Sequence, residues 1–142
     1  LDISHLNDRG IEELLTMTEE AVLASHSNCR ALCRDERNLP DEFILELIAR
    51  GGLIGLTLHR PFIGLKEDVD SFVAHVVELG GEDAVALGTD FDGTDNLVKN
   101  IQNNGDFQKI ADRLSYLGYN KTLIEKILYK NAYHFFKRWR KT

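Results

Sequence analysis

Two Ser-His pairs follow short apolar runs near the beginning of the chain. His5 ends the run over residues 1–4, and His26 ends the run over residues 22–25. A helical pattern of apolar and acidic residues lies between them, so the stretch predicts one βαβ unit with parallel strands. The carboxyl ends of parallel strands share one edge of a sheet, where α/β proteins place their chemistry. Two imidazoles at that edge indicate a metal site, although each could instead cap its own strand through a hydrogen bond to a carbonyl.

A carboxylate, Asp90, follows a further apolar run over residues 84–88 and is expected at the same edge. It could serve as a metal ligand, a general base or a cap for the turn that follows. Asp92, two positions on, is expected to shape that turn. Nitrogen and oxygen donors of this kind suit zinc, with manganese or cobalt as alternatives. Three protein ligands, His5, His26 and Asp90, would leave one position open for a catalytic water.

The elements that must position these side chains alternate along the chain. Apolar runs at residues 1–4, 22–25, 53–58 and 84–88 read as strands, and helical patterns separate them. The order β-α-β-α-β-α-β predicts an α/β fold with parallel β/α units. Four strands cannot close an eight-stranded barrel, so the sheet is either open or half of a barrel. We expect a loop over 59–62, and three helices at 107–117, 121–129 and 131–139.

The last predicted helix carries Phe135, Phe136 and Trp139 on one side and ends in basic residues, among them Arg140 and Lys141. We divide the chain into a half-barrel over residues 1–93 and a helical part over 94–142, together forming one partial domain.

Composition excludes some classes of partner. The chain has 142 residues, 43% of them hydrophobic, and a net charge of −6 that argues against nucleic acid or an anionic membrane. It has no apolar run long enough to span a bilayer and no signal-peptide pattern, so we expect a cytoplasmic protein. Cys29 and Cys33 are then expected as reduced thiols. Asn120 matches a glycosylation sequon, but we expect it to cap a helix.

Five segments of the sequence form a set: Asp2-Ile3-Ser4-His5-Leu6-Asn7, Ala24-Ser25-His26-Ser27-Asn28, Arg37-Asn38-Leu39, Gly51-Gly52-Leu53-Ile54-Gly55 and Gly88-Thr89-Asp90-Phe91-Asp92-Gly93. Taken together in this order, they resemble the C-terminal half of the membrane (renal-type) dipeptidase family, whose members are binuclear zinc peptidases of the amidohydrolase superfamily. The 21 positions that separate His5 from His26 agree with that family. The resemblance covers nearly the whole chain and implies the C-terminal half of a (β/α)8 TIM-type barrel with extra C-terminal helices.

The resemblance implies roles for single residues. His5 and His26 match the pair that ligates one of two zinc ions, and Asp90 matches the aspartate that accepts and donates a proton during hydrolysis. Arg37 matches the arginine that holds the terminal carboxylate of the substrate, a task suited to a guanidinium fork; without the resemblance it would read as a surface charge. Phe62 stands where the family often has an aromatic residue near the substrate. The implied mechanism is attack of a metal-bound hydroxide on the peptide carbonyl of a dipeptide.

The family also uses a His-x-Asp motif and a bridging glutamate on earlier strands, and neither has a counterpart in this sequence. Three hypotheses therefore remain. In the first, the chain is the C-terminal part of a dipeptidase whose N-terminal half-barrel lies in another chain or has been removed by proteolysis. In the second, it is a catalytically incomplete half-barrel that pairs with a copy of itself and has a structural role. In the third, it is a single-metal amidohydrolase that acts on another amide or a lactone. The full family site holds two zinc ions, and this chain by itself would hold one or none.

Overall fold

Four chain segments run side by side and parallel at the centre of the molecule. The computed structural model describes residues 1–66 and 68–139, and within them β1 (Leu23–Ala24), β2 (Leu53–Leu56) and β3 (Val85–Leu87) form a sheet in that order. The first apolar run joins the edge of β1 through a parallel bridge from Asp2 to Leu23. The predicted α/β class and parallel order are confirmed, although each strand is shorter than its apolar run.

Helices connect the strands and then continue beyond the last one. They are α1 (Asp8–Met17), α2 (Asp41–Ala49), α3 (Arg60–Ile63), α4 (Asp70–Glu78), α5 (Phe107–Tyr116), α6 (Lys121–Glu125) and α7 (Asn131–Trp139). Two helix starts follow the sequence directly, because the side chains of Asn7 and Asn120 accept the backbone N–H groups of Gly10 and Leu123. None of the helices within the described residues is long and apolar enough to cross a membrane.

The sheet is covered on both faces, as its uniformly apolar strands require. All four residues of β2 are buried. Ile54 and Val85 belong to the main core under the connecting helices, whereas Leu53 and Ala86 pack with Phe135 of α7. The strands therefore lose nearly all their apolar surface from water, which is the main driving force for this packing.

Three predictions about local structure are wrong in detail. The expected loop at residues 59–62 includes the short helix α3, which Pro61 favours because its fixed φ suits a first turn. The helix expected over residues 121–129 gives way after α6 to a π-helical turn at Lys126–Lys130. Phe135 is 2% exposed but Phe136 is 53% exposed, because neighbouring residues point about 100° apart around a helix. Arg140, Lys141 and the Trp139 side chain lie outside the described residues.

Candidate functional site

The two predicted histidines meet at one edge of the sheet. The Nε2 atoms of His5 and His26 are 2.8 Å apart, and their rings form an edge-on pair with centroids 4.8 Å apart. His5 has a φ of 76°, in the left-handed region that residues with a side chain rarely adopt. This backbone geometry directs the chain away from the sheet and into α1. The predicted convergence of the two imidazoles is confirmed.

A chain of hydrogen bonds holds His26 from behind. Ser25 Oγ lies 2.7 Å from His26 Nδ1 and donates to Asp2 Oδ2 at 2.5 Å. The backbone N–H of His26 donates to Ser4 Oγ at 3.0 Å. Sequence reasoning missed Asp2, Ser4 and Ser25 as functional residues. Their positions in the sequence could have identified them. Ser4 and Ser25 each directly precede a histidine, and Asp2 lies on the segment that pairs with β1.

Two glycines, Gly55 and Gly88, allow the backbone just before His26 to pack closely against the neighbouring strand ends. The carbonyl oxygen of Ser25 lies so close to Gly55 and Gly88 that a Cβ built on these residues would be 2.2 Å and 1.8 Å from it. No side chain other than hydrogen fits at such distances, so both positions require glycine. These glycines therefore contribute to the position of His26 even though they carry no chemistry.

The surroundings of His26 favour its neutral form. Burial is the largest cause that lowers the pKa of His26 below its ordinary value, and the charges of His5 and Arg37 act in the same direction. The carboxylates of Asp90 and Asp2 oppose this shift. A neutral imidazole is the form that binds a metal ion. These interactions also show that Asp90 and Arg37 lie near enough to His26 to act on its charge.

Asp90 occupies the turn that leaves β3, as predicted. Its φ is 59°, and its carbonyl oxygen accepts the N–H of Gly93 at 3.1 Å. A Cβ at Gly93 would lie 2.2 Å from Asp90 Oδ1, so the carboxyl group folds over this glycine. The Asp-Gly turn chemistry seen in the sequence thus positions the carboxylate itself.

Arg37 and Phe62 form a pair beside the histidines. The Arg37 guanidinium carbon lies 5.4 Å from the centre of the Phe62 ring, within the range of a cation–π contact. Its Nη2 atom is buried and has no hydrogen-bond partner among the described residues. Arg37 and His5 line the same cleft, of about 570 Å³. A buried cationic donor without a partner can bind an anionic group that enters this cleft.

Two buried asparagines hold the loops that carry this pair. Asn28 Nδ2 donates to the Thr57 carbonyl at 3.1 Å and its Oδ1 accepts the Thr57 N–H at 3.0 Å. Asn38, the neighbour of Arg37, donates through Nδ2 to the Phe62 carbonyl at 2.8 Å and to the Cys33 carbonyl at 2.9 Å. The segments before α2 and α3 are therefore tied together by fully buried amides.

The other histidines lie in different surroundings. His59 packs its ring against Phe62 at 4.6 Å between centroids and shares a hydrogen bond of 2.7 Å with Thr94 Oγ1. His75 contacts the Asp41 carboxylate at 2.8 Å and so links α4 to α2, as expected of a structural residue.

His5 and His26 supply two of the ligands that a metal ion at this site would need. Two Nε2 atoms that face each other can bind zinc at about 2.0–2.1 Å after a small separation. Among residues 1–66 and 68–139, however, no group of three or more His, Cys, Asp or Glu side chains is placed to hold a metal. Asp90 therefore does not complete the three-ligand set predicted with His5 and His26, and further ligands would have to come from outside these residues or from water.

Comparisons with known proteins agree with the fold. The family model for membrane dipeptidase, peptidase family M19, matches residues 1–142. A solved metallopeptidase named dipeptidase AC superposes with a TM-score of 0.90 at 26% identity, over 97% of this chain and 43% of that one. A metallopeptidase from Rhodobacter sphaeroides, bound to a phosphinate mimic of the dipeptide L-Ala-D-Ala, gives 0.89 at 27% identity, over 97% and 42%.

An uncharacterized protein of Klebsiella pneumoniae is 29% identical over 140 residues, which are 92% of this chain and 51% of that protein. This chain spans about half the length of these three proteins, which is consistent with part of a (β/α)8 barrel. The match over the whole sequence and the superposition over nearly all of it show that the chain belongs to the membrane dipeptidase family, peptidase family M19.

Proposed function

We propose that this chain supplies part of the active site of a zinc-dependent dipeptidase. In this proposal, His5 and His26 bind one zinc ion, Arg37 binds the terminal carboxylate of the dipeptide, and Asp90 moves a proton. The observation that carries the proposal is the pair of Nε2 atoms 2.8 Å apart beside a cleft that is also lined by Arg37, whose Nη2 atom has no hydrogen-bond partner among the described residues. This combination suits a peptidase acting on dipeptides, because the free carboxylate of a dipeptide always lies close to the scissile bond.

The side chains divide the chemistry between them. Arg37 would orient the substrate by charge-assisted hydrogen bonds to its carboxylate, with Phe62 supporting the guanidinium plane. Asp90 would hold the proton removed from water and deliver it to the nitrogen of the leaving amine. His5 and His26 would hold the zinc ion, which when bound supplies Lewis-acid activation of water and of the peptide carbonyl.

We further propose that the remaining ligands come from a second half-barrel. The first apolar run pairs with β1 on one side, and Leu1 at this edge is 63% exposed. An edge strand with free backbone groups can accept a strand from another part of the protein or from another chain. A second copy of this chain is the alternative occupant, and size-exclusion chromatography with light scattering separates the two possibilities.

A structural role is the second candidate function. It is favoured by one observation, the lack of a three-ligand group among the described residues. A half-barrel of this kind would bind metal weakly and hydrolyse nothing by itself.

The test combines metal analysis, activity and intact mass. We expect zinc to co-purify with the protein, and His5→Ala and His26→Ala to lose it together with dipeptide hydrolysis. His134→Ala is the matched control, because His134 is exposed on α7. Intact-mass measurement shows whether a second polypeptide accompanies the active form. Absence of both zinc and hydrolysis from a correctly folded preparation that contains the second half-barrel would contradict the proposal and support the structural role. One metal with activity only on other amides or lactones would instead identify a different amidohydrolase.

A further inference from the structure

We propose that Asp2, acting through Ser25, is a positioning residue that keeps the proton of neutral His26 on Nδ1. The lone pair of His26 Nε2 then faces His5 and is available to a metal ion. The second half of this inference rests on the proposed metal role of His26, whereas the proton position rests on the hydrogen bonds alone.

The argument begins with the single proton of the Ser25 hydroxyl. This oxygen lies 2.5 Å from Asp2 Oδ2 and 2.7 Å from His26 Nδ1, and one proton can serve only one of these contacts. If it pointed to His26, two oxygen atoms would face each other at 2.5 Å with no proton between them. The hydroxyl therefore donates to the carboxylate and accepts from His26, which places a proton on Nδ1.

The orientation of the Asp2 carboxylate is fixed by two backbone hydrogen bonds. Asp2 Oδ1 accepts the backbone N–H groups of both Ser4 and Ser25 at 3.0 Å. These two donors come from the first apolar run and from the end of β1, so they fix the carboxyl group across the two neighbouring segments. Its second oxygen is thereby directed at the Ser25 hydroxyl. The backbone structure therefore fixes the direction of donation in these hydrogen bonds, from His26 to Ser25 and from Ser25 to Asp2.

The proton on Nδ1 determines the state of Nε2, the other nitrogen of the His26 ring. With its proton on Nδ1, His26 presents an unprotonated Nε2 atom 2.8 Å from His5 Nε2. In the absence of metal, this atom accepts a hydrogen bond from His5. A metal ion would replace that proton and take a lone pair from each ring. Metal-binding histidines commonly donate their other N–H to a carboxylate or carbonyl, and here a serine relays that contact.

The substitution Asp2→Asn tests the direction of donation in the hydrogen bonds that join Asp2, Ser25 and His26, because it keeps each contact. The two backbone N–H groups require the amide oxygen, so the side-chain NH₂ must face the Ser25 hydroxyl and donate to it. The hydroxyl then donates to His26 Nδ1, and the proton of the imidazole moves to Nε2. We expect two-bond ¹⁵N–¹H correlation spectra of the metal-free protein, at mildly alkaline pH, to show His26 changing from the Nδ1–H to the Nε2–H tautomer.

Zinc titration supplies the second measurement. We expect Asp2→Asn and Ser25→Ala to weaken zinc binding by about 10- to 100-fold, the range found when the outer partner of a metal-binding histidine is removed. Asp95→Asn is the matched control, because it removes one negative charge at an exposed position. Ser25→Thr, which keeps the hydroxyl, should retain the wild-type tautomer. Circular dichroism confirms that each variant folds.

The outcomes separate this inference from the proposed function. An unchanged His26 tautomer in folded Asp2→Asn overturns the inference, whatever the zinc affinity. An inverted tautomer with weakened zinc binding supports both. An inverted tautomer in a protein that binds no zinc in any form supports the positioning role of Asp2 and contradicts the proposed metal centre.

Discussion

Two arginine–phenylalanine pairs lie at opposite ends of the sheet, and their geometry is nearly the same. Arg37 lies 5.4 Å above the Phe62 ring at the carboxyl ends of the strands, and Arg138 lies 5.5 Å above Phe135 near the other end. Their hydrogen bonding differs. Arg138 Nη2 donates to the Gly51 carbonyl at 2.7 Å, whereas Arg37 Nη2 is buried without a partner among the described residues. The contact type therefore does not distinguish a candidate binding residue from a structural one, but the unused donor does.

The same contrast extends to the backbone around each pair. Near Arg37, His5, Asp90 and Asp92 all have positive φ values, in a region that is unfavourable for residues with side chains. At the other end, Asn131 donates to the carbonyls of Val85 and Glu82 at 2.8 Å, so the polar groups there are satisfied. One end of the sheet therefore provides stability, and the other holds strained and unpaired groups that a ligand could use.

The largest expected effect comes from Asp90→Asn. In a preparation that hydrolyses dipeptides, we expect kcat to fall by about 10²- to 10⁴-fold, the usual contribution of a general acid–base group. Steady-state kinetics measures this, and thermal unfolding should show little change in stability. The matched control is Asp83→Asn at the opposite end, where the carboxylate pairs with Lys126 at 2.7 Å. Equal losses of activity in both variants would contradict a proton-transfer role.

The second largest effect is expected from Gly88→Ala. Its Cβ would lie 1.8 Å from the Ser25 carbonyl, so the backbone before His26 must move, and we expect a loss of about 3 kcal/mol in the free energy of unfolding. Chemical denaturation measures this loss, and zinc titration should show weaker binding as well. Gly80→Ala is the control, because a Cβ there meets nothing within 4 Å although its φ is 90°. Gly80→Ala should lower stability only modestly and leave zinc affinity unchanged.

Paired substitution of the two arginines tests the comparison itself. We expect Arg37→Met to raise KM for dipeptides by about 10- to 100-fold, because charge-assisted hydrogen bonds are worth about 1.5–3 kcal/mol. Its stability should not fall, since a buried unpaired donor is removed. Arg138→Met should instead lose about 1 kcal/mol of stability, with KM unchanged. If Arg37→Met destabilises the protein and leaves KM as it was, the two pairs are both structural.

The smallest effect concerns the buried thiol of Cys29. Burial raises the pKa of Cys29 from 9.0 to about 12, so the folded protein keeps a proton that the unfolded chain loses. The stability from this group is complete below pH 9 and falls as the pH rises towards 12, by about 1.4 kcal/mol per pH unit. Urea denaturation across this window should show a shallower decline for Cys29→Ala. Parallel declines in the two proteins would indicate that Cys29 does not contribute.

Much of the fold could be predicted because it follows from local pattern. Runs of apolar residues and helical periodicity placed four parallel segments and their helices in the right order, and Asn120 predicted the start of α6. The π-helical turn at Lys126–Lys130 and the helix after His59 could not be predicted this way, because packing against the rest of the molecule overrides weak local preference.

The sequence by itself determined that two imidazoles would reach one edge of the sheet, because each follows a strand of a single βαβ unit. It also placed Asp90 at that edge. Only the tertiary structure decided that Asp2 contacts Ser25, 23 positions away, and that Arg37 keeps an unpaired donor. Such contacts join segments that are distant in the chain, and their distances depend on how the loops pack. Residue type therefore predicted which side chains meet at this edge of the sheet, and packing decided which of their polar groups are left without a partner.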